Sequence, residues 1–248
     1  APTSEPLAAE MVNRQDSVPH SVPDFAGQMQ QLAQDYFALR PETATYYGVP
    51  DEKAGVGISS RLARYSVDGE IERRAGLKAI LAELAAIDKA QLSESQKISL
   101  ELVATGAANA YAPSTVVDYG FVLGEYGVWF NPYVISHLTG PHVEIPAILE
   151  DKMAVRTRSD AMAYVSRLNS YAGALDEAIG KMEHDRALGV VPPDFVIDRA
   201  LANLTASIDI PAAANTLVTR FSQKLEEAGI ERAAEYVVLA TALVEEQV

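Results

Sequence analysis

Residues 77–88 read LKAILAELAAID. Leu77, Ile80, Leu84 and Ile87 recur every three or four positions with Leu81 beside them, while Lys78, Glu83 and Asp88 interrupt the apolar run at helical spacing. That is the period of an amphipathic α-helix; a strand would alternate apolar and polar residues. Followed back toward Ser66, the stripe takes in Ile71, so the spacing predicts one long helix with Ile71, Leu77, Ile80, Leu81, Leu84 and Ile87 turned inward. The same charges exclude a membrane span, and no run elsewhere approaches the roughly 18 apolar residues that one needs.

The pattern repeats in both directions. Upstream, Asp24 reads as an N-cap for a helix carrying Phe25, Met29, Leu32, Tyr36 and Leu39. Pro41 ends that helix and opens PETATYYG, which Gly48 closes, and residues 49–60 read as a loop. Residues 1–21 hold Pro2, Pro6 and Pro19 without apolar periodicity and read as a flexible tether, leaving 22–248 as a helical domain. Downstream, Ser93 and Gln96 form a capping-box pattern before a helix that runs to about Tyr111. Thr157 or Ser159 starts a long helix that Gly189 ends, and Pro193–Asp194 starts another. Pro211 and Gly229 bracket the next, and a last helical pattern ends at Val248 without a cap, so the chain is expected to be the N-terminal part of a longer protein. The fold class is all-α, a large multi-helix assembly.

One region breaks the period. From Pro113 to Phe130 the sequence PSTVVDYGFVLGEYGVWF reads as irregular chain or a short β-hairpin, with short helices resuming at PYVISHL and EIPAILEDK. Across residues 124–142, GEYGVWFNPYVISHLTGPH gathers the only tryptophan, Trp129, with His137, His142 and several turn residues. One reading is a buried crossover, in which Trp129, Phe130 and Tyr133 fill core and glycines allow tight turns. The other is a cleft wall, in which Asn131, Tyr133, His137 and His142 bind substrate beside aromatic surface.

Composition narrows the function. The net charge is −14 and the pI about 4.7, which repels nucleic acid and anionic membrane surfaces. Cysteine is absent, which removes disulfides, thiolate zinc sites and cysteine nucleophiles. No HExxH zinc motif occurs: His142-Val143-Glu144 is followed by Pro146 where the second histidine would stand. There is no GxSxG elbow and no phosphate-binding glycine loop. No catalytic residue and no metal ligand is therefore assigned within this chain. The opening APTSEPLAAE resembles the polar start of a mature exported protein.

Five stretches in order carry a family resemblance: DYFALRPETATYYGV, LAELAAIDKAQLSESQKISLELV, NPYVISHLTGPHVEIPAILE, DAMAYVSRLNSY and GVVPPDFVIDRAL. Together they resemble the bacterial family called domain of unknown function 885, from residue 24 to about 230. The resemblance implies an exported, periplasmic or lipid-anchored protein about twice this length, zinc-metallopeptidase-like, whose HExxH-like motif lies in its C-terminal half. It implies that zinc is held by that missing half, that short peptides are the substrate, and that this chain alone is inactive. Pro132, Tyr133, Ser136 and Gly140 match the family's pattern, whereas His137 stands where the family often has Gln. A second reading is a complete, non-catalytic all-helical module that binds a ligand or partner, and a third pairs two chains as a homodimer. An isolated half should expose an apolar patch where its partner belongs; a complete module should not.

Overall fold

The computed structural model describes residues 24–124 and 127–248; the stretch read as a tether lies outside them. Among the described residues the chain forms ten α-helices and one isolated antiparallel bridge, so the fold is all-α. The helices are α1 (Phe25–Leu39), α2 (Pro41–Tyr46), α3 (Asp51–Ala54), α4 (Val67–Ala86) and α5 (Glu94–Tyr111). They are followed by α6 (Pro141–Ala147), α7 (Arg158–Ala187), α8 (Asp194–Ile208), α9 (Thr216–Glu227) and α10 (Ala233–Gln247). None is long and apolar enough to cross a membrane.

Local chemistry sets the helix ends. Asp24 accepts from the Gly27 amide, and Ser93 and Gln96 close a reciprocal capping box on α5. Thr157 and Asp160 do the same for α7, so Thr157 and not Ser159 is its cap. Three expectations are corrected. Residues 49–60 contain α3 and a 3₁₀ turn rather than loop alone. Pro211 opens a 3₁₀ turn, and α9 starts only at Thr216, capped by Asn215, whose side chain accepts from the Leu217 amide. PYVISHL is not helical: the Ser136 hydroxyl accepts from the Leu138 and Thr139 amides, a local turn that competes with helical pairing.

The helix that decides the fold has its stripe in a different register at one end. Leu77, Ile80 and Leu84 are buried as the spacing requires, yet Ile71 is 60% exposed. Counting back from Leu77 by four and then three lands on Arg73 and Glu70, and both are buried. The apolar stripe of α4 thus continues as a charged one.

Two helical groups flank this charged end. α1, α4 and α5 pack around Leu32, Ile80, Leu84 and Leu100. The larger core gathers α6, α7, α9 and α10 around Tyr164, Leu168, Phe221 and Leu225. The segment from α5 to α6 is the seam between them: Phe121 belongs to the larger core, while Val122 and Leu123 pack with Leu77 of α4. Val122 and Leu123 are consecutive yet share one side, because the chain turns here and Leu123 takes a left-handed backbone conformation. In the larger core, the Phe221 ring stacks on Tyr164 with centroids 4.0 Å apart, and both are fully buried. Phe221→Ala should cost about 3–5 kcal/mol, from lost transfer energy plus the cavity. A urea-unfolding series checks this, and a loss under about 1 kcal/mol would contradict the core assignment.

Candidate functional site

The seam segment has almost no secondary structure to satisfy its backbone, and charged side chains from the surrounding helices do so instead. Glu70 of α4 accepts from the Val122 amide at 3.1 Å while it pairs with Arg73 at 2.9 Å and Arg74 at 2.7 Å. Arg74 in turn donates to the Val117 and Tyr119 carbonyls. Asp185 of α7 accepts from Gly120 at 3.1 Å and pairs with buried Lys181. Glu144 of α6 accepts from Gly140 and pairs with Arg40, the residue that ends α1. Each buried charge therefore has an opposite charge, a backbone group or both, the condition under which burial is tolerated.

Aromatic rings complete the clamp. Phe121 stacks on Tyr65 at 5.0 Å, and the Arg73 guanidinium lies 3.7 Å from the Phe121 ring centre. Arg40 lies 5.4 Å from the same ring. Burial pulls the Arg73 pKa down, an effect that Glu70 opposes; for Arg40, burial pulls down but Glu144, Tyr65 and Glu42 pull up further. Both remain cations, as arginine does in proteins.

The expected hairpin is reduced to one bridge, Phe121 with Asn131, with backbone bonds of 2.8 and 2.9 Å and a further bond from Gly124 to Trp129. Leu123 is held at φ 51°, a left-handed conformation that costs a branched side chain about 1–2 kcal/mol. Gly140 sits at φ 117°, where a Cβ would meet the Val134 carbonyl 2.8 Å away, so glycine is required there.

On this frame the four candidate residues fall in different places, and among the described residues no hydrogen bond links any two of them. Asn131 is buried, paired through its backbone with Phe121 and packed against Gly124. Tyr133 is half-buried. The His137 carbonyl accepts from Asn203 of α8 at 3.3 Å, while its Nδ1 is buried without a hydrogen-bond partner. His142 lies in the first turn of α6, both ring nitrogens without a partner of hydrogen-bond geometry, and burial lowers its pKa below 6.5. The nearby Ser136 backbone and Glu144 offset only part of that. Trp129 does not fill core; it is 61% exposed, with Val128 and Leu138 also outward. Phe130 packs partly buried against the Leu77 cluster.

Beside the segment lies a cavity of about 30 Å³, reached by Arg40, Glu42, Tyr46, Leu138 and Glu144. That is room for about one water molecule and far below the few hundred Å³ of a substrate pocket. Zinc does not fit here either: among the described residues no group of three His, Asp or Glu can hold a metal ion.

Fold and site together define an all-α protein in which buried charges clamp one irregular segment between two helical groups. The chain belongs to the family described as "Bacterial protein of unknown function (DUF885)", which matches residues 41–247. Its fold is also that of the "putative lipoprotein from Colwellia psychrerythraea", known from a crystal structure, with a TM-score of 0.79 at 23% sequence identity. The match covers 91% of this chain and 38% of that one, so this chain spans well under half the length of its structural relative. No curated protein matches it.

Glu70→Ala should strand two arginines and the Val122 amide, and cost about 3–5 kcal/mol. Urea unfolding measures this, and a loss below about 1 kcal/mol would refute the clamp. His142 adds a pH dependence. Its folded pKa lies below the unfolded 6.5, so as pH falls below 6.5 the unfolded state binds more protons and stability declines. His142→Gln should flatten that decline between about pH 7 and pH 5.5. Urea midpoints that fall equally in both proteins over that range would contradict it.

Proposed function

We propose that this chain is the N-terminal, non-catalytic half of an exported, zinc-metallopeptidase-like hydrolase of short peptides, and that its clamped segment forms one wall of the substrate cleft. The reading rests on the family membership together with one geometric observation. A segment fixed from beneath by Glu70, Asp185 and Glu144 presents Trp129 outward, with Tyr133 and His137 partly so. A rigid aromatic and hydrogen-bonding surface suits orientation of a peptide, because the ordering cost is met on folding and not on binding. Zinc, its ligands and the general base belong to the remainder of the protein; Trp129 and Tyr133 position substrate and take no proton. The lipoprotein description of the structural relative supports placement at the cell envelope, lipid-anchored or periplasmic.

The test is made on the full-length protein with dipeptide and tripeptide substrates. Trp129→Ala and Tyr133→Ala should lower kcat/KM about fivefold or more, chiefly through KM, with melting temperature nearly unchanged because both side chains reach solvent. Equal kcat/KM in wild type and both variants would reject the wall. Absence of peptide hydrolysis by the wild type, with zinc supplied, would reject the peptidase reading.

One observation favours a binding module as the second reading. A cleft of about 420 Å³ opens between α1, α4 and the start of α5, with Phe25, Leu32, Ile87 and Leu92 on its floor, within the size range of small-molecule sites. In that reading the protein binds an apolar ligand there, and Gln28→Trp, at an exposed position lining the cleft, abolishes binding of a fluorescent apolar probe. Equal probe binding by wild type and variant would remove it.

A further inference from the structure

The helix α8 buries only Val196 and Ala200 within its fifteen residues, although its sequence DFVIDRALANLTASI is largely apolar. Its positions separate into two faces. Val196 and Ala200 turn inward, and Asn203 ties the helix to the seam segment through the His137 carbonyl. Ile197, Leu201, Leu204 and Ile208 form a second stripe at intervals of four, three and four, the spacing of a helix-packing seam. This stripe is open: Leu201 is 56% and Ile208 78% exposed, Ile197 is exposed and Leu204 half-buried. It runs about 16 Å along the helix, or three turns. Scattered apolar residues on a surface need no explanation, whereas a stripe at packing period signals a partner element.

We infer that the open stripe of α8 is the docking face for an amphipathic helix from the remainder of the same longer protein. This rests on the half-protein reading above but not on peptidase activity. Two observations choose that occupant. The structural relative shares this fold over only 38% of its length, so most of that chain lies outside the matched part and is available to cover a face of it. A second copy of this chain is disfavoured by charge, because self-association would bring together two bodies of net charge −14. Three turns of apolar stripe match one helix laid along it, in the ridges-into-grooves manner of helix pairs.

The chain contains no cysteine, which permits a direct test in the full-length protein with any cysteine elsewhere replaced by serine. Single variants Leu201→Cys and Ile208→Cys are labelled with a maleimide, alongside Val56→Cys, a position 95% exposed on a loop of the α1–α3 region. The docked helix should slow labelling at 201 and 208 at least about tenfold relative to position 56, at every protein concentration, and urea should abolish the difference. Labelling at 201 and 208 as fast as at 56 would overturn the inference. Protection that disappears on dilution would also overturn it, by assigning the stripe to a second copy. Peptide hydrolysis does not enter the readout, so loss of the peptidase reading leaves this result intact.

Discussion

The carboxylate of Glu70 is the interaction on which the rest of this structure depends. It stands at a core position of α4, where the stripe of Leu77, Ile80 and Leu84 would call for an apolar side chain. From there it neutralises Arg73 and Arg74 and accepts the Val122 amide. Without it, two guanidinium groups and a backbone donor would lie desolvated at the seam of the molecule, a state that costs far more than the pairing gains. Asp185 and Glu144 repeat the arrangement from α7 and α6. The clamp explains how an unpaired segment can run between two hydrophobic clusters at all, since a buried irregular chain otherwise leaves its amides and carbonyls unsatisfied.

Arg167 applies the same logic in reverse. It is fully buried with no carboxylate bonded to it; instead it donates to the carbonyls of Arg61 and Ile58 and to the Thr45 hydroxyl. Burial lowers its pKa to about 10, only partly opposed by Glu42 and Asp51, so it keeps its charge at neutral pH. Acidic side chains gather the amides of one irregular segment, and a basic side chain gathers the carbonyls around α2 and the 3₁₀ turn at Ile58. The protein builds its non-helical parts on charge because helices present few free backbone groups to pair with.

Rigidity of the segment and openness of its surroundings belong together. The residues that hold the segment, such as Phe121, Val122 and Asn131, are buried. Those that project from it, Trp129, Val128 and Leu138, are exposed, and Leu138 borders a cavity with room for about one water molecule. The proposed cleft-wall reading draws on this surface, in a chain that spans 38% of its structural relative.

The sequence alone determined the helices, because period and caps are local: the stripe from Leu77 to Leu84, the reciprocal Ser93–Gln96 box and the Thr157 cap are each set by neighbours within four residues. It also located the irregular segment, where proline and glycine cluster and the apolar period of a helix is lost. Only the tertiary structure decided which residues lie inside. Hydropathy places Ile71 inward and leaves Trp129 open between core and surface; both are exposed, while Glu70, Arg73 and Arg40 are buried. The one local signal was the strict spacing back from Leu77, which lands on Arg73 and Glu70. Their partners, Val122, Phe121 and Glu144, lie tens of residues away along the chain. A buried charge is stable only with such a partner in place, and the position of a distant partner is fixed by packing, not by the neighbours in sequence.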